Sequence, residues 1–315
     1  MLPETGEQIQ RIIDNVERVV FGKRDVVKMC VIGLLARGHL LIEDVPGIGK
    51  TTLAQSLARS VDCSFTRIQF TSDMLPSDVL GVSILNPKTN DFEFRFGPIF
   101  ANFVLADEIN RTPPKTQSAL LEAMSEYTVS ADGVTYPLPR PFMVIATQNP
   151  IEYEGTYVLP ESQMDRFLLR VDIGYPPETD ELRIMRRHDP VQAIASLRPV
   201  INAEELIRLQ EEAERITVDA SIERYILDIV RATRDHEHVR LGSSPRGAQA
   251  LFEASQARAM VEGRDYVTPD DVKLLAAPTL AHRLLVKSRG ADLAAAGLER
   301  LRIIREIVSG TKVPI

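Results

Sequence analysis

The run Gly47-Ile48-Gly49-Lys50-Thr51-Thr52 pairs residue types and spacing suited to holding phosphate. Successive backbone N–H groups in such a loop curl around phosphate oxygens, and a helix starting at Lys50 or Thr51 adds its positive end. Gly47 and Gly49 let the main chain approach closely, Lys50 reaches terminal phosphates, and the Thr51 hydroxyl suits Mg²⁺. Pro46, Ile48 and Thr52 complete the cradle. Leu40-Leu41-Ile42-Glu43 just upstream reads as an apolar strand, so the context is strand, loop, helix. The full pattern G-x-x-x-x-G-K-[ST] would put glycine at position 44, where this chain has Asp44.

Phe103-Val104-Leu105-Ala106-Asp107-Glu108 is a second apolar run, ending in two carboxylates. Parallel strands present their C-terminal ends to the ligand crevice, so these acids are expected beside the phosphate loop. Asp107 suits a water-bridged Mg²⁺, and Glu108 suits orienting the attacking water. Val144-Ile145-Ala146-Thr147-Gln148-Asn149 ends in amides, and Asn149 offers a donor between the γ-phosphate and that water. Taken alone, Asn149 reads as a turn residue ahead of Pro150. Arg166, in Asp165-Arg166-Phe167, and Arg246, in Ser243-Ser244-Pro245-Arg246, supply guanidiniums. One aimed at a transferring phosphoryl group is worth roughly 10³–10⁵ in rate. Arg246 follows a Ser cap and a first-turn proline, so it is expected to point from a lid helix at nucleotide bound below.

The elements that must position these groups follow from periodicity. Strands are predicted at Leu40–Glu43, Ser64–Phe70, Phe103–Asp107, Phe142–Thr147 and Leu168–Ile173. Helices are predicted at Val26–Arg37, Thr51–Val61 and Pro114–Ser125. This alternation predicts an α/β fold, a parallel sheet flanked by helices, over residues 1–174. Tyr175-Pro176-Pro177-Glu178-Thr179-Asp180 reads as a hinge. Beyond it, Ala203–Arg215, Ile222–Arg234, Gly247–Glu262, Asp270–Leu275 and Leu293–Val308 have helical period, which predicts an all-helical domain over 175–315. Thr268-Pro269-Asp270-Asp271 is a helix start. Two hairpins interrupt the first part: Val82–Leu85 with Phe92–Phe96, and Thr128–Ala131 with Val134–Tyr136 around Asp132-Gly133. The Phe92/Phe94/Phe96 stripe is expected to pack on the domain body rather than grip a substrate.

In order and spacing, the Asp44–Thr51 loop, Asp107-Glu108-Ile109-Asn110-Arg111, Asn149, Asp165-Arg166-Phe167 and Ser244-Pro245-Arg246 resemble the MoxR ATPases of the AAA+ superfamily. Gly97-Pro98-Ile99-Phe100-Ala101-Asn102, Ala146–Glu152, Glu154-Gly155-Thr156-Tyr157 and Leu159-Pro160-Glu161 look like that family specifically. The resemblance implies ATP and Mg²⁺ as cofactors, with Lys50 and Thr51 on the phosphates and metal, Asp107 as the metal-site acid and Glu108 as the catalytic glutamate. It makes Asn149 a sensor, Arg246 the lid-borne sensor arginine, and Arg166 an arginine finger acting on the neighbouring subunit's nucleotide. Val20-Phe21-Gly22 resembles the segment lining adenine, and the hairpins look like the helix-2 and pre-sensor insertions of the magnesium-chelatase clade. Asp44 departs from the superfamily glycine, although an acid there is usual in MoxR proteins.

A finger used in trans implies a homo-oligomeric ring, typically a hexamer, that remodels protein clients with a von Willebrand factor A domain partner. The alternatives are a metal-insertion motor like the chelatase subunit and a nucleotide-gated assembly switch. A nucleic-acid motor is disfavoured, because 37 basic against 44 acidic residues give net charge −7 and no global basic field. The N-terminus lacks a leader layout, and no apolar run approaches the ~20 residues a bilayer span needs. A cytoplasmic protein without direct membrane insertion is therefore expected. Cys30 and Cys63 read as structural thiols, His39, His188 and His282 as structural histidines. Asp235-His236-Glu237-His238 reads as a polar helix end rather than a metal site. Glu211-Glu212-Ala213-Glu214-Arg215 reads as a solvated helix face.

Overall fold

The computed structural model describes residues 3–45, 47–148, 157–186, 189–287 and 293–314. Ile9, Ile12, Ile13 and Val16 recur at helical spacing, and this stripe is the buried face of α1 (Pro3–Glu17), ahead of the first helix expected. α2 (Arg24–Leu35) leads into β1 (Leu40–Glu43), then α3 (Lys50–Ser60) and β2 (Phe65–Gln69). A short α4 (Pro76–Leu80) precedes the hairpin β3 (Gly81–Asn86) and β4 (Asp91–Phe96). β5 (Phe103–Asp107), α5 (Pro114–Glu126), the hairpin β6 (Thr128–Ala131) and β7 (Val134–Pro137), and β8 (Met143–Gln148) follow. α6 (Glu161–Met164) and β9 (Leu169–Val171) close this part.

Among the described residues five strands form one parallel sheet, in the order β2-β5-β8-β1-β9. The three central strands β5, β8 and β1 are buried up to their last residue because both faces are covered, whereas the edge strands β2 and β9 carry Arg67, Gln69 and Arg170. Leu40, Ile42, Phe103, Leu105, Met143 and Ile145 enter the cluster under α1–α3, while Leu41, Val104, Ala106, Val144 and Ala146 enter the one under α5. The period of two thus splits each strand between two cores. Asp132 and Gly133 adopt positive φ, as a two-residue hairpin turn requires. In the first hairpin Phe94 stacks on Tyr136 of β7 at 4.4 Å between centroids, and Phe96 meets Phe100 at 4.6 Å. The expectation that the stripe packs on the domain body is therefore corrected: Phe94 packs on the other hairpin, while Phe92, beside Leu85, and Phe96 stand exposed.

α7 (Glu178–Met185) begins inside the expected hinge, leaving 175–177 extended. α8 (Pro190–Ala195), α9 (Ala203–Ala213) and α10 (Ala220–Asp235) follow. β10 (Val239–Leu241), α11 (Pro245–Val261), α12 (Pro269–Leu280), β11 (Leu285–Val286) and α13 (Leu293–Gly310) complete the C-terminal part. It is helical, with one small antiparallel ribbon, β10–β11, that the periodicity did not mark. Asp271 starts α12 as expected, its carboxylate accepting from the N–H and hydroxyl of Thr268. α12 runs through Pro278, past its expected end at Leu275. A separate core for each part is not what forms: one apolar cluster runs from α1, α2 and the sheet into α9–α13. Cys30 lies in that cluster and Cys63 packs against it, and burial pushes both thiols up to about 12. In the Glu211–Arg215 run Glu211, Glu214 and Arg215 are exposed, Glu212 is half-buried and accepts from Thr5 Oγ1 at 2.8 Å, and Ala213 is buried.

Candidate active site

β1 delivers the chain into the loop, and the loop ends where α3 begins. Gly47 and Gly49 have φ of +87° and +94°, which L side chains rarely adopt. A Cβ at either would meet nothing within 4 Å, so the loop's inner surface is open to a ligand. Gly49 caps α3 without a side-chain acceptor, which leaves first-turn amides free to face an anion. Ile48 points the other way, into the main cluster. Thr51 and Thr52 occupy the first turn, half-buried. The Lys50 ammonium donates to the Asp44 carbonyl. Burial lowers its pKa, and the carboxylates of Asp44, Asp107 and Glu108 oppose that shift, which places all three acids near it. Pro46 lies outside the described residues.

The acids arrive by strand register. Gln69 pairs with Asp107, and Glu43 with Gln148, so the C-terminal ends of β2, β5, β8 and β1 form one row at the loop. Thr147, fully buried on β8, donates to Asp107 Oδ1 at 2.6 Å and accepts from the Glu108 N–H at 2.9 Å. Arg67 grips Asp107 Oδ2 through Nε at 3.0 Å and Nη2 at 2.6 Å. Glu108 sits at φ +59°, its Oε2 accepting from Gln69 at 2.7 Å and pairing with Arg111 at 3.2 Å. Arg67, Gln69 and Thr147 were not singled out from sequence. Each lies in or beside an expected strand end, but only strand order makes them neighbours. Asn149, Pro150 and the Ile151–Thr156 part of the family-specific motifs lie outside the described residues.

Arg166 and Arg246 come together, but away from this row. They line one cleft of about 250 Å³ with Arg37, Glu253 and Arg283. Arg166 donates to the Leu121 carbonyl at 2.8 Å and to Ser125 Oγ, at the C-terminal end of α5. Ser244 Oγ donates to Asp165 at 2.9 Å, and Arg283 Nε pairs with Asp165 at 2.9 Å, which pins the start of α11 beside Arg166. Gly38, His39 and Leu168 also line the cleft, so it lies where β1 and β9 begin, whereas the phosphate loop lies where β1 ends. Four residues of strand separate the two edges by about 13 Å. The expectation that Arg246 points at nucleotide on its own chain is therefore corrected: the lid seats its exposed guanidinium at the opposite edge of the sheet.

The Val20-Phe21-Gly22 segment packs on the linker to the lid. Gly22 has φ +65°, and a Cβ there would strike Asp180 Oδ2 at 2.5 Å and Pro177 at 2.8 Å. Arg183 of α7 lies over the Phe21 ring at 4.2 Å. His39 and His282 are buried and hydrogen-bonded, to Met124 and Phe167 carbonyls at 3.0 Å each, in keeping with structural roles. His188 lies outside the described residues. Among the described residues no group of three or more His, Cys, Asp or Glu is arranged to hold a metal ion, His236 and His238 included.

Two family descriptions match this chain: "ATPase family associated with various cellular activities (AAA)" over residues 39–169, and "AAA lid domain" over residues 231–300. The Bacillus subtilis protein YeaC is 52% identical over 97% of this chain and 94% of its own length. Chaperone MoxR1 of Mycobacterium tuberculosis is 43% identical over 88% of this chain and 76% of its own. The chain belongs to the MoxR family of AAA+ ATPases. A crystal structure of a Cytophaga hutchinsonii protein assigned as an ATPase matches this MoxR chain with a TM-score of 0.90 at 38% identity, covering 99% of this chain and 96% of that one. The first matched region runs from His39 through the phosphate loop, Asp107-Glu108 and Arg166 to Leu169. The second includes Arg246. This MoxR protein is thus a nucleotide-binding α/β ATPase with a lid.

Proposed function

We propose that this MoxR ATPase hydrolyses ATP with Mg²⁺ at sites shared between the subunits of a ring and uses the cycle to remodel protein clients. One observation carries the shared site: the phosphate loop with Asp107-Glu108 and the Arg166–Arg246 cleft occupy opposite edges of one sheet. An edge-to-edge contact between copies would bring one copy's arginines to the next copy's nucleotide. The Gly47–Thr52 loop binds the phosphates, with Lys50 exchanging the Asp44 carbonyl for phosphate oxygen. Thr51 and Asp107 fit Mg²⁺, the latter through water because Arg67 and Thr147 already engage its oxygens, and bound metal would neutralise charge on the phosphates. Glu108, fixed by Gln69 and Arg111, orients a water and takes its proton. The water oxygen bonds to the γ-phosphorus as the bond to the bridging oxygen breaks, releasing ADP and phosphate. Arg166 and Arg246 of the neighbour stabilise the equatorial charge, and Asn149 aligns the water.

Residues 1–174 carry nucleotide and 175–315 the lid, which shifts as the site turns over. The remodelling role draws on MoxR1, which is named a chaperone, and the family resemblance adds a von Willebrand factor A domain partner and a cytoplasmic setting. No helix among the described residues is long and apolar enough to cross a membrane. The test is ATP turnover with and without Mg²⁺ in the full chain and in Glu108→Gln. Expected is Mg²⁺-dependent turnover that Glu108→Gln loses while still binding ATP. Undiminished turnover in Glu108→Gln would overturn the assignment, and binding without turnover in the parent would point to a switch.

A further inference from the structure

We propose that Asp44 is a positioning residue that links phosphate-loop occupancy to the linker carrying the lid. Its carboxylate is held by three main-chain amides. Oδ1 accepts from the Val45 N–H at 2.8 Å, while Oδ2 accepts from the N–H groups of Ile173 at 2.9 Å and Gly174 at 2.6 Å. The β1–β9 ladder ends at the pair Ile42 and Val171, so the Asp44 side chain extends the grip of β1 to the second and third residues beyond it on the neighbouring chain segment. Glu43 adds a second hold, its Oε2 pairing with Arg170 Nε of β9 at 3.1 Å. A glycine at position 44 would leave those amides without this partner.

The same residue touches the nucleotide machinery through its main chain. The Asp44 carbonyl accepts from Lys50, and its N–H donates to the Gln148 carbonyl at 3.2 Å, at the end of β8 next to Asn149. Downstream, Gly174 turns the chain at φ +64°, and the Tyr175 carbonyl accepts from Lys23 at 2.6 Å, beside Gly22. One residue therefore joins loop, sensor strand and linker. Resting on the reading of Lys50 as the phosphate lysine, departure of its ammonium to a phosphate frees the peptide that follows Asp44. The carboxylate and the amides of Ile173 and Gly174 then rearrange together. Hydrogen bonds to an ionised acceptor are strong enough for that movement to pull the linker with it.

Hydrogen–deuterium exchange of the segment 171–176 in the full chain, without nucleotide and with a non-hydrolysable ATP analogue, tests this. In the parent protein the analogue should change exchange at Ile173 and Gly174. In Asp44→Asn these amides should exchange about tenfold faster without nucleotide, as loss of a charge-assisted bond implies, and the analogue should no longer alter them. KM for ATP should stay near the parent value while kcat falls, and Asp44→Glu should restore part of kcat. An analogue that binds the parent but leaves 171–176 unchanged overturns the proposal, even if Asp44→Asn does not fold. So does Asp44→Asn with parental kcat and parental response to the analogue. Failure of the parent to bind the analogue at all, measured by calorimetry, would instead remove the phosphate-loop reading beneath it.

Discussion

At the scale of single residues, the site depends on a few groups with no spare partners. Lys50→Ala removes the charge among Asp44, Asp107 and Glu108 and should abolish ATP binding in a calorimetric titration. Thr147→Val keeps the shape of β8 but strips a hydroxyl that serves both Asp107 and the Glu108 N–H. Unfolding in urea should show a loss of about 1–3 kcal/mol, the cost of leaving buried polar groups unpaired, together with lower turnover. His39 gives a pH signature. Burial lowers its imidazole from 6.5 to about 4, and Nδ1 accepts from the Val144 N–H at 3.0 Å, which holds the ring neutral. Between those values the unfolded chain binds a proton that the fold refuses, so stability rises with pH there and is lost as pH falls from 6.5 towards 4. A denaturation midpoint unchanged from pH 7 to pH 4.5 would contradict this. The phosphate loop and both acids were legible as residue types at fixed spacing. Thr147, Gln69 and Arg67 were not, because hydrogen bonds across a parallel sheet follow strand order rather than spacing.

At the scale of elements, the placement of α11 decides which edge of the sheet its arginine occupies. Its cap was legible, since Ser244 accepts from the Arg246 N–H at 3.1 Å, but a cap says only where a helix starts. Its direction comes from Asp165, which Ser244 and Arg283 both hold. Arg166→Ala and Arg246→Ala subunits should bind ATP and hydrolyse it about a thousandfold more slowly or worse, in line with the value of such guanidiniums. Mixing Arg166→Ala with Glu108→Gln subunits should restore part of the turnover, because one mixed interface then has both an intact glutamate and an intact finger. Absence of any rescue would argue for action within one chain. The lid has its own brace: Asp271, wholly buried, pairs with Arg258 and Arg264 at the start of α12. Asp271→Ala should cost about 3 kcal/mol in a denaturant titration, at the low end for a broken buried pair because both arginines keep some solvent contact.

At the scale of the whole molecule, one apolar cluster joins the sheet layer to the lid helices, so lid movement must proceed by repacking rather than by swinging through solvent. A pocket completed by a second copy, as proposed, would also make activity depend on assembly. Specific ATPase activity should rise with protein concentration and plateau where light scattering reports a full oligomer. Activity per chain that stays constant on dilution to monomer would refute the shared site.

Order along the chain was enough to establish the α/β sheet, the hairpins, the phosphate loop and the helical lid, because period, capping and glycine placement are local properties of covalent neighbours. Tertiary structure alone decided that Arg246 lies across the sheet from its own loop and that Asp44 grips the lid linker. Both depend on which strand edge a distant segment reaches, and that is set by packing between residues more than a hundred positions apart.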